Sequence, residues 1–137
     1  MKIRDLMTQK VKTISPEETI QQAAHLMASL DTGALLVNED DRLVGMITDR
    51  DITVRAVAKD LPNDTPVGRI MSTEIHYCFE DEDIMHVAEN MAGIQMRRLP
   101  VLNRDKRLVG VVSLGNIARG QNQRASATLL QGVAQAH

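Results

Sequence analysis

The chain has 137 residues, of which 43% are hydrophobic and 25% charged, a composition typical of one soluble globular domain with a sizeable core. Its formal net charge of −2 disfavours a nucleic-acid-binding surface. The single cysteine, Cys78, excludes an internal disulfide and a cysteine-rich zinc site. Aromatic residues make up only 1%, so a bound base would have to be held by aliphatic side chains and backbone. No signal peptide or membrane span is recognisable, which predicts a cytoplasmic protein.

The first half of the chain predicts the order strand, helix, strand, strand, helix from the period of its apolar residues. The first helix should start with Ser15 as N-cap, Pro16 in the first turn and Glu18 closing a capping box. The strands are expected over residues 11–14, 34–38 and 42–48, and the second helix over residues 49–59. The apolar residues expected on the buried faces are Ile20, Ala23, Ala24, Met27 and Leu30 in the first helix and Ile52, Val54, Ala56 and Val57 in the second.

The second half repeats the first. Ile3-Arg4-Asp5-Leu6-Met7 aligns with Val67-Gly68-Arg69-Ile70-Met71. With one extra residue in the second turn, the alignment continues through Thr48 over Ser113 to Ile52 over Ile117. Each unit is about half the usual domain length, so the two are expected to share one core. The second unit should have strands over 75–79, 99–102 and 108–113 and helices over 81–94 and from Leu114. The predicted boundaries are a first unit over 1–60, a linker over 61–66, a second unit over 67–119 and a tail over 120–137, in which Ala127, Leu129, Leu130 and Val133 could form a last helical turn.

The third strand of each unit ends in the same small motif, Gly45-Met46-Ile47-Thr48-Asp49-Arg50-Asp51-Ile52 in the first. A hydroxyl such as that of Thr48, at a strand end where a helix begins, is well placed to contact an anion. Asp51 could accept both hydroxyls of a ribose, and Arg50 and Arg55 are close enough in sequence to neutralise phosphate. The same residues also suit a plain helix cap, with Asp51 complementing the helix dipole. From these residues alone both interpretations stay open.

Together with Asp5-Leu6-Met7 and Arg97-Arg98-Leu99-Pro100-Val101, the two motifs resemble the tandem cystathionine-β-synthase (CBS) domain pair, or Bateman module. The resemblance covers residues 1 to about 119. It implies an α/β fold of two β-α-β-β-α units about a pseudo-two-fold axis, with an adenine nucleotide (AMP first, otherwise ADP, ATP or NAD) in the cleft between them. It makes Thr48 a phosphate contact and Asp51 the ribose acceptor. It also implies that the adenine is flanked, and read by backbone, at Thr13, Ile14, Ala34 and Leu35.

The motif of the second unit departs from this pattern. Ser113 keeps the hydroxyl, but Asn116 replaces the aspartate and can accept through only one oxygen. Arg97 and Arg98 add positive charge there, and Leu99-Pro100 matches the wall that the family places beside the base. We therefore expect two unequal sites, the first favoured by ribose chemistry and the second by phosphate electrostatics.

These features predict a non-enzymatic regulatory module for signal transduction or energy sensing, which forms a homodimer and shifts its conformational population when a nucleotide binds. Its output would pass through another protein. The alternative is a structural or interaction module with silent sites. An enzyme is disfavoured because no P-loop, nucleophile elbow or oriented general base is present. The acidic run Glu80-Asp81-Glu82-Asp83 could hold Mg²⁺, but it also suits the first turn of a helix, and no metal site is predicted.

Overall fold

The structure, a computed structural model, describes residues 1–119, 128 and 130–134. These residues form two compact units. The N-unit is Lys12–Ile75, and the C-unit combines Met1–Val11 with the described residues from His76 onwards. Each unit contains one three-stranded sheet and follows the predicted strand-helix-strand-strand-helix order, which confirms the α/β fold class.

The sheet of the N-unit has the strand order β1-β2-β3. Strand β1 pairs in parallel with β2, and β2 pairs antiparallel with β3 across a tight turn. Along β2 and β3, buried residues alternate with partly exposed ones, so the helices cover only one face of the sheet. The elements are β1 (Thr13–Ile14), α1 (Ile20–Leu30), β2 (Ala34–Glu39) and β3 (Arg42–Thr48).

Helix α1 begins at Ile20, later than the sequence predicts. Thr19 is its N-cap: the hydroxyl accepts from the Gln22 N–H at 3.1 Å, and the Gln22 side chain accepts from the Thr19 N–H at 2.8 Å. The predicted capping box at Ser15 is therefore wrong. The carbonyls just before the helix are engaged elsewhere, since the Glu18 carbonyl accepts from the backbone N–H of Val67 at 2.7 Å. A backbone held in that way cannot form the first helical turn.

The helix predicted over residues 49–59 is helical throughout but has three parts. An α-helical turn, α2 (Asp49–Asp51), leads into a π-helix over Ile52–Ala56 and a 3₁₀ turn over Val57–Lys59. Of the apolar residues predicted to be buried here, Ala56 is buried, Ile52 is partly buried, and Val57 is 64% exposed. Val54 is exposed as well, because π-helical winding changes the spacing from which the buried face was inferred.

The buried stripe of α1 is also narrower than predicted. Ile20, Ala23 and Met27 are buried, whereas Ala24 and Leu30 are exposed. The three buried residues lie along one narrow stripe of the helix, and this stripe packs on the sheet.

The C-unit has the same topology, with the strand order β4-β5-β6. The predicted first strand and first helix are both shorter than expected. Asp83 caps α3 by accepting from the Met85 N–H at 2.9 Å, and the N–H of Ile84 donates to the Met1 carbonyl at 3.0 Å. The N-terminal residues thus take part in defining the start of this helix. The elements are β4 (Cys78–Phe79), α3 (Ile84–Ile94), β5 (Arg98–Leu102), β6 (Leu108–Ser113) and α4 (Leu114–Arg119).

The leading segment of each repeat packs in the unit formed by the rest of the other repeat. In the N-unit, Ser72 and Met46 exchange backbone hydrogen bonds of 2.8 and 2.9 Å. In the C-unit, Thr8 and Val111 exchange bonds of 2.9 and 3.0 Å. The division by packing therefore differs from the division by sequence repeat over 1–60 and 67–119.

A glycine permits this close approach in each unit. A Cβ at Gly110 would lie 2.7 Å from the Thr8 carbonyl oxygen, and a Cβ at Gly45 would lie 3.0 Å from the Ser72 carbonyl oxygen. Only a residue without a side chain leaves room for the leading segment to pair with β6 or β3.

The described part of the tail, residues 128 and 130–134, is helical. Val133 is buried in the core of the C-unit, whereas Leu130 is exposed. Ala127 and Leu129, which were predicted to share this helical turn, lie outside the described residues. Among the residues that the structure describes, no helix has both the length and the hydropathy needed to cross a bilayer.

Candidate functional site

The motif of the N-unit is held by a reciprocal pair of hydrogen bonds between Thr48 and Asp51. The Thr48 hydroxyl accepts from the Asp51 N–H at 3.0 Å, and Asp51 Oδ2 accepts from the Thr48 N–H at 3.0 Å. This is the geometry of a capping box at the start of α2. It leaves the hydroxyl proton of Thr48 and the second carboxylate oxygen of Asp51 for other partners.

That second oxygen, Asp51 Oδ1, lies 3.7 Å from Nε of Arg55. The Arg55 guanidinium also donates through Nη1 to the Ile70 carbonyl at 3.3 Å. The side chain of Asp51 is 16% exposed and that of Arg55 is 54% exposed. The carboxylate is therefore oriented on both sides while part of its surface still meets solvent.

The sheet brings the predicted base-flanking residues to the same end of the strands as the motif. Ala34 at the start of β2 is the register partner of Thr48, and Thr13 on β1 is the partner of Leu36. Thr13 is partly exposed and Ala34 exposed, whereas the side chains of Ile14 and Leu35 are buried in the core of the N-unit. The side chains of those two residues are therefore not accessible to a ligand there.

The set of site residues predicted from the sequence leaves out Leu36 and Met46. They are direct cross-strand partners, and both are partly exposed on the sheet face that also carries Ala34 and Thr48. Together they form an aliphatic surface beside the motif. Counting two residues back from Thr48 and two forward from Ala34 would have found them, because side chains of one sheet face recur at every second residue.

Arg50 lies between two aspartates at the start of α2 and is exposed. Its backbone N–H donates to Asp49 Oδ1 at 2.8 Å. Within the part of the chain that the structure describes, its guanidinium forms no ion pair or hydrogen bond, which distinguishes it from Arg55.

The motif of the C-unit is satisfied internally. Asn116 is 6% exposed, and its Oδ1 accepts from both the N–H and the hydroxyl of Ser113 at 2.9 Å. Its Nδ2 donates to the Thr8 hydroxyl at 3.4 Å. The hydroxyl proton of Ser113 and the side chain of Asn116 are therefore engaged, unlike their counterparts Thr48 and Asp51.

The other residues predicted in the second site lie along β5 and just before it. Leu99 and Pro100 are buried, whereas Arg97 and Arg98 are exposed. Arg98 is the register partner of Ser113, so its position is next to the motif. The Arg97 carbonyl accepts from the N–H of Leu114 at 2.9 Å and thereby holds the start of α4.

An open groove of about 440 Å³ runs along β1 and the outer side of α1 in the N-unit. It shares only Thr13 with the predicted nucleotide set, and its other lining side chains are mostly exposed and of mixed charge. Those residues are Lys12, Glu18, Gln22, His25, Leu26 and Ser29.

The acidic run before α3 is used for structural contacts. Asp81 accepts two hydrogen bonds from Arg104, at 2.7 and 2.8 Å, and Arg104 holds the pKa of that carboxyl below its ordinary value. Asp83 caps the helix. Burial raises the pKa of the Cys78 thiol to about 12, so it stays protonated and unreactive at neutral pH. Among the residues described, no group of three or more His, Cys, Asp or Glu side chains could hold a metal ion.

The model of the CBS domain matches this chain twice, over residues 3–57 and 67–122. The chain belongs to the CBS domain family. The CBS domain-containing protein YhcV of Bacillus subtilis is 42% identical to it over 125 residues, which is 91% of this chain and 89% of YhcV. The resemblance found in the sequence motifs is therefore confirmed, and the relative has the size of a single CBS pair.

Hypoxic response protein 1 of Mycobacterium tuberculosis is 36% identical over 132 residues, which is 95% of this chain and 92% of the relative. Its crystal structure, with two coordinated zinc ions, superposes with a TM-score of 0.76 and covers 87% of this chain and 98% of that one. The CBS domain pair of protein MJ0100, in complex with 5′-methylthioadenosine and S-adenosyl-L-methionine, has a TM-score of 0.71 at 26% identity, covering 88% and 95%.

Proposed function

We propose that this CBS pair is a regulatory module that binds an adenine nucleotide at the Thr48–Asp51 motif of the N-unit. The observation that carries the proposal is the state of Asp51. One carboxylate oxygen is fixed by the Thr48 N–H at 3.0 Å, while the other has, among the residues that the structure describes, only the Arg55 guanidinium 3.7 Å away. A fixed, partly exposed carboxylate oxygen suits the acceptor of a ribose hydroxyl.

The neighbouring groups suit the rest of a nucleotide. The Thr48 hydroxyl accepts from the Asp51 N–H, so its own proton can be donated to a phosphate oxygen. The aliphatic face formed by Leu36 and Met46 offers apolar contact to a base without aromatic stacking. The adenine would be read by the backbone at Thr13 and Ala34, where it would replace the contacts of 3.4 and 3.2 Å that the Ala34 N–H and carbonyl make with the Thr32 hydroxyl.

The relatives support an adenosine-containing ligand. Both molecules bound to MJ0100, 5′-methylthioadenosine and S-adenosyl-L-methionine, carry adenosine. AMP, ADP, ATP and NAD share this part, and we put AMP first because the motif of the N-unit offers one hydroxyl donor, Thr48, and the exposed guanidinium of Arg50 for phosphate.

We further propose that the motif of the C-unit is the weaker site. Ser113 donates its hydroxyl proton to Asn116, and Asn116 donates through Nδ2 to Thr8, whereas Thr48 and Asp51 leave the corresponding groups available. A ligand there would have to break buried hydrogen bonds before it formed its own. Arg97 and Arg98 could still attract phosphate to this site through charge alone.

In this proposal the protein acts by binding and not by catalysis. Ligand binding favours one conformational state, and the changed surface is read by a partner protein, with a homodimer as the working unit. The full-length relatives are proteins of the size of a CBS pair, which supports a regulatory role. The cytoplasmic location stays a prediction.

A thermal-shift series with AMP, ATP, NAD, S-adenosylmethionine and GMP tests the proposal. A ligand at about a hundred times its dissociation constant stabilises the folded state by about 2.7 kcal/mol, which raises the unfolding midpoint by several degrees. We expect adenine nucleotides to raise it and GMP to leave it unchanged. No shift with any of these ligands would contradict the proposal and favour an interaction module, and turnover of ATP or NAD by pure protein would favour an enzyme.

A further inference from the structure

The motif of the N-unit carries two arginines, and the sequence predicts that both neutralise phosphate. The structure gives them different surroundings. We propose that Arg55 is a positioning residue that orients Asp51 toward the ribose, and that Arg50 alone supplies the positive charge for the phosphate. This inference rests on the proposed function and assigns the roles within it.

Arg55 is held between two fixed groups. Its Nε lies 3.7 Å from Asp51 Oδ1, and its Nη1 donates to the Ile70 carbonyl at 3.3 Å. The Ile70 end is a firm anchor, because the Ile70 side chain is buried and its N–H donates to the Val67 carbonyl at 3.1 Å. A guanidinium with donors on several sides can join a carboxylate to a carbonyl in this way, whereas an ammonium acts as a point charge.

The Asp51 end is therefore oriented from two directions. The Thr48 N–H fixes Oδ2, and Arg55 faces Oδ1. The carboxylate has little freedom to rotate away from a ribose placed at this end of the sheet. Because the positive charge of Arg55 is already matched by the carboxylate, a phosphate would gain little from it.

The repeat within the chain supports the pairing of Asp51 with Arg55. Position 116 in the second motif is asparagine, and the residue four positions later, which corresponds to Arg55, is Gly120. The carboxylate and its arginine are both present in one motif and both absent from the other. Arg55 also lies in the π-helical part Ile52–Ala56, a form that is frequent at functional sites.

The surroundings of the Arg50 side chain differ from those of Arg55. It is exposed, and within the described residues its guanidinium has no acidic or carbonyl partner. It can approach a phosphate without first leaving another group, so it retains its full charge for that contact.

The test compares affinities of adenosine, AMP and 2′-deoxy-AMP for the native protein and for Arg55→Gln, Arg50→Gln and Arg42→Gln. Arg42 is the matched control, since it is an exposed arginine at the far end of β3 from Thr48. Calorimetry gives two affinity ratios for each protein. The ratio of the AMP affinity to the 2′-deoxy-AMP affinity reports the ribose contact, and the ratio of the AMP affinity to the adenosine affinity reports the phosphate contact. The unfolding midpoint without ligand is recorded for every variant.

We expect the native protein and Arg42→Gln to prefer AMP over 2′-deoxy-AMP by about tenfold or more, as for a hydrogen bond to a charged group. Arg55→Gln should reduce that affinity ratio toward one and keep the ratio of AMP affinity to adenosine affinity. Arg50→Gln should keep the preference for AMP over 2′-deoxy-AMP and reduce the ratio of AMP affinity to adenosine affinity toward one. The Arg55 side chain is 54% exposed and its distance to Asp51 is 3.7 Å, so the loss of this pair should move the unfolding midpoint by no more than a few degrees.

Three results would overturn the inference. If Arg55→Gln keeps the ribose preference and loses the phosphate preference, Arg55 is a phosphate ligand. If Arg55→Gln lowers all affinities equally together with the unfolding midpoint, Arg55 is only structural. If the native protein binds no adenosine ligand, or binds one without a ribose preference, the proposed function fails and the inference fails with it.

Discussion

At the scale of single residues, the two repeated motifs differ in what their polar side chains already bind. Thr48 uses its oxygen to accept and keeps its proton, whereas the Ser113 hydroxyl donates to Asn116. Asp51 has a partly exposed carboxylate, whereas Asn116 is buried and bridges to Thr8. The first motif thus keeps polar groups that the proposed ligand would use, and the second holds Thr8, in the segment Met1–Val11, against the rest of the C-unit.

Asn116→Ala should therefore affect stability and leave nucleotide affinity unchanged. Removing the amide leaves the N–H of Ser113 without its partner, which we expect to cost about 1–3 kcal/mol of the free energy of unfolding. Urea denaturation measures this cost, and calorimetry with AMP measures the affinity. A variant with native stability and a tenfold loss of AMP affinity would contradict the structural role given to Asn116.

The residues that sequence alone placed at the site came from the motif and its resemblance, and the structure brings Thr13, Ala34 and Thr48 to one end of the sheet. What the sequence could not show is which polar groups are already engaged. Asp51 and Asn116 differ by one atom type, yet their freedom depends on burial and on Thr8, which is 108 residues away from Asn116.

At the scale of elements, the strands after the helices were predicted within about a residue because alternating burial marks them clearly. The starts of the helices were not predicted with that accuracy. The Ser15-Pro16-Glu18 pattern is a valid start signal, but the backbone before α1 pairs with residues about fifty positions away, as in the bond from Val67 N–H to Glu18. Local capping patterns cannot report such a competing partner.

This correction predicts different costs for removing the two candidate caps. Thr19→Ala should destabilise the protein by about 1 kcal/mol, because the hydroxyl satisfies the Gln22 N–H in the first turn. Ser15→Ala should cost less than about 0.5 kcal/mol, since the turn there uses the Ser15 carbonyl. Chemical denaturation of both variants checks this, and the reverse order would place the helix start at Ser15 after all.

At the scale of the whole molecule, the repeats along the chain and the units that pack differ by an exchange of their leading segments. Residues 3–7 and 67–71 are so alike that the sequence cannot tell which core each joins. Both segments carry an apolar residue first, Ile3 or Val67, and each of these is fully buried in the core of its unit. The choice is made by connectivity and by non-local hydrogen bonds, neither of which appears as a sequence pattern.

The central claim is that the N-unit binds an adenine nucleotide through Asp51, and calorimetric titration of AMP into the native chain and into Asp51→Ala tests it most directly. We predict about one AMP per chain with the native protein, since the motif of the C-unit is internally satisfied. We predict an affinity loss of about tenfold or more for Asp51→Ala. Undiminished AMP binding by Asp51→Ala, or no binding by the native protein, would contradict the account.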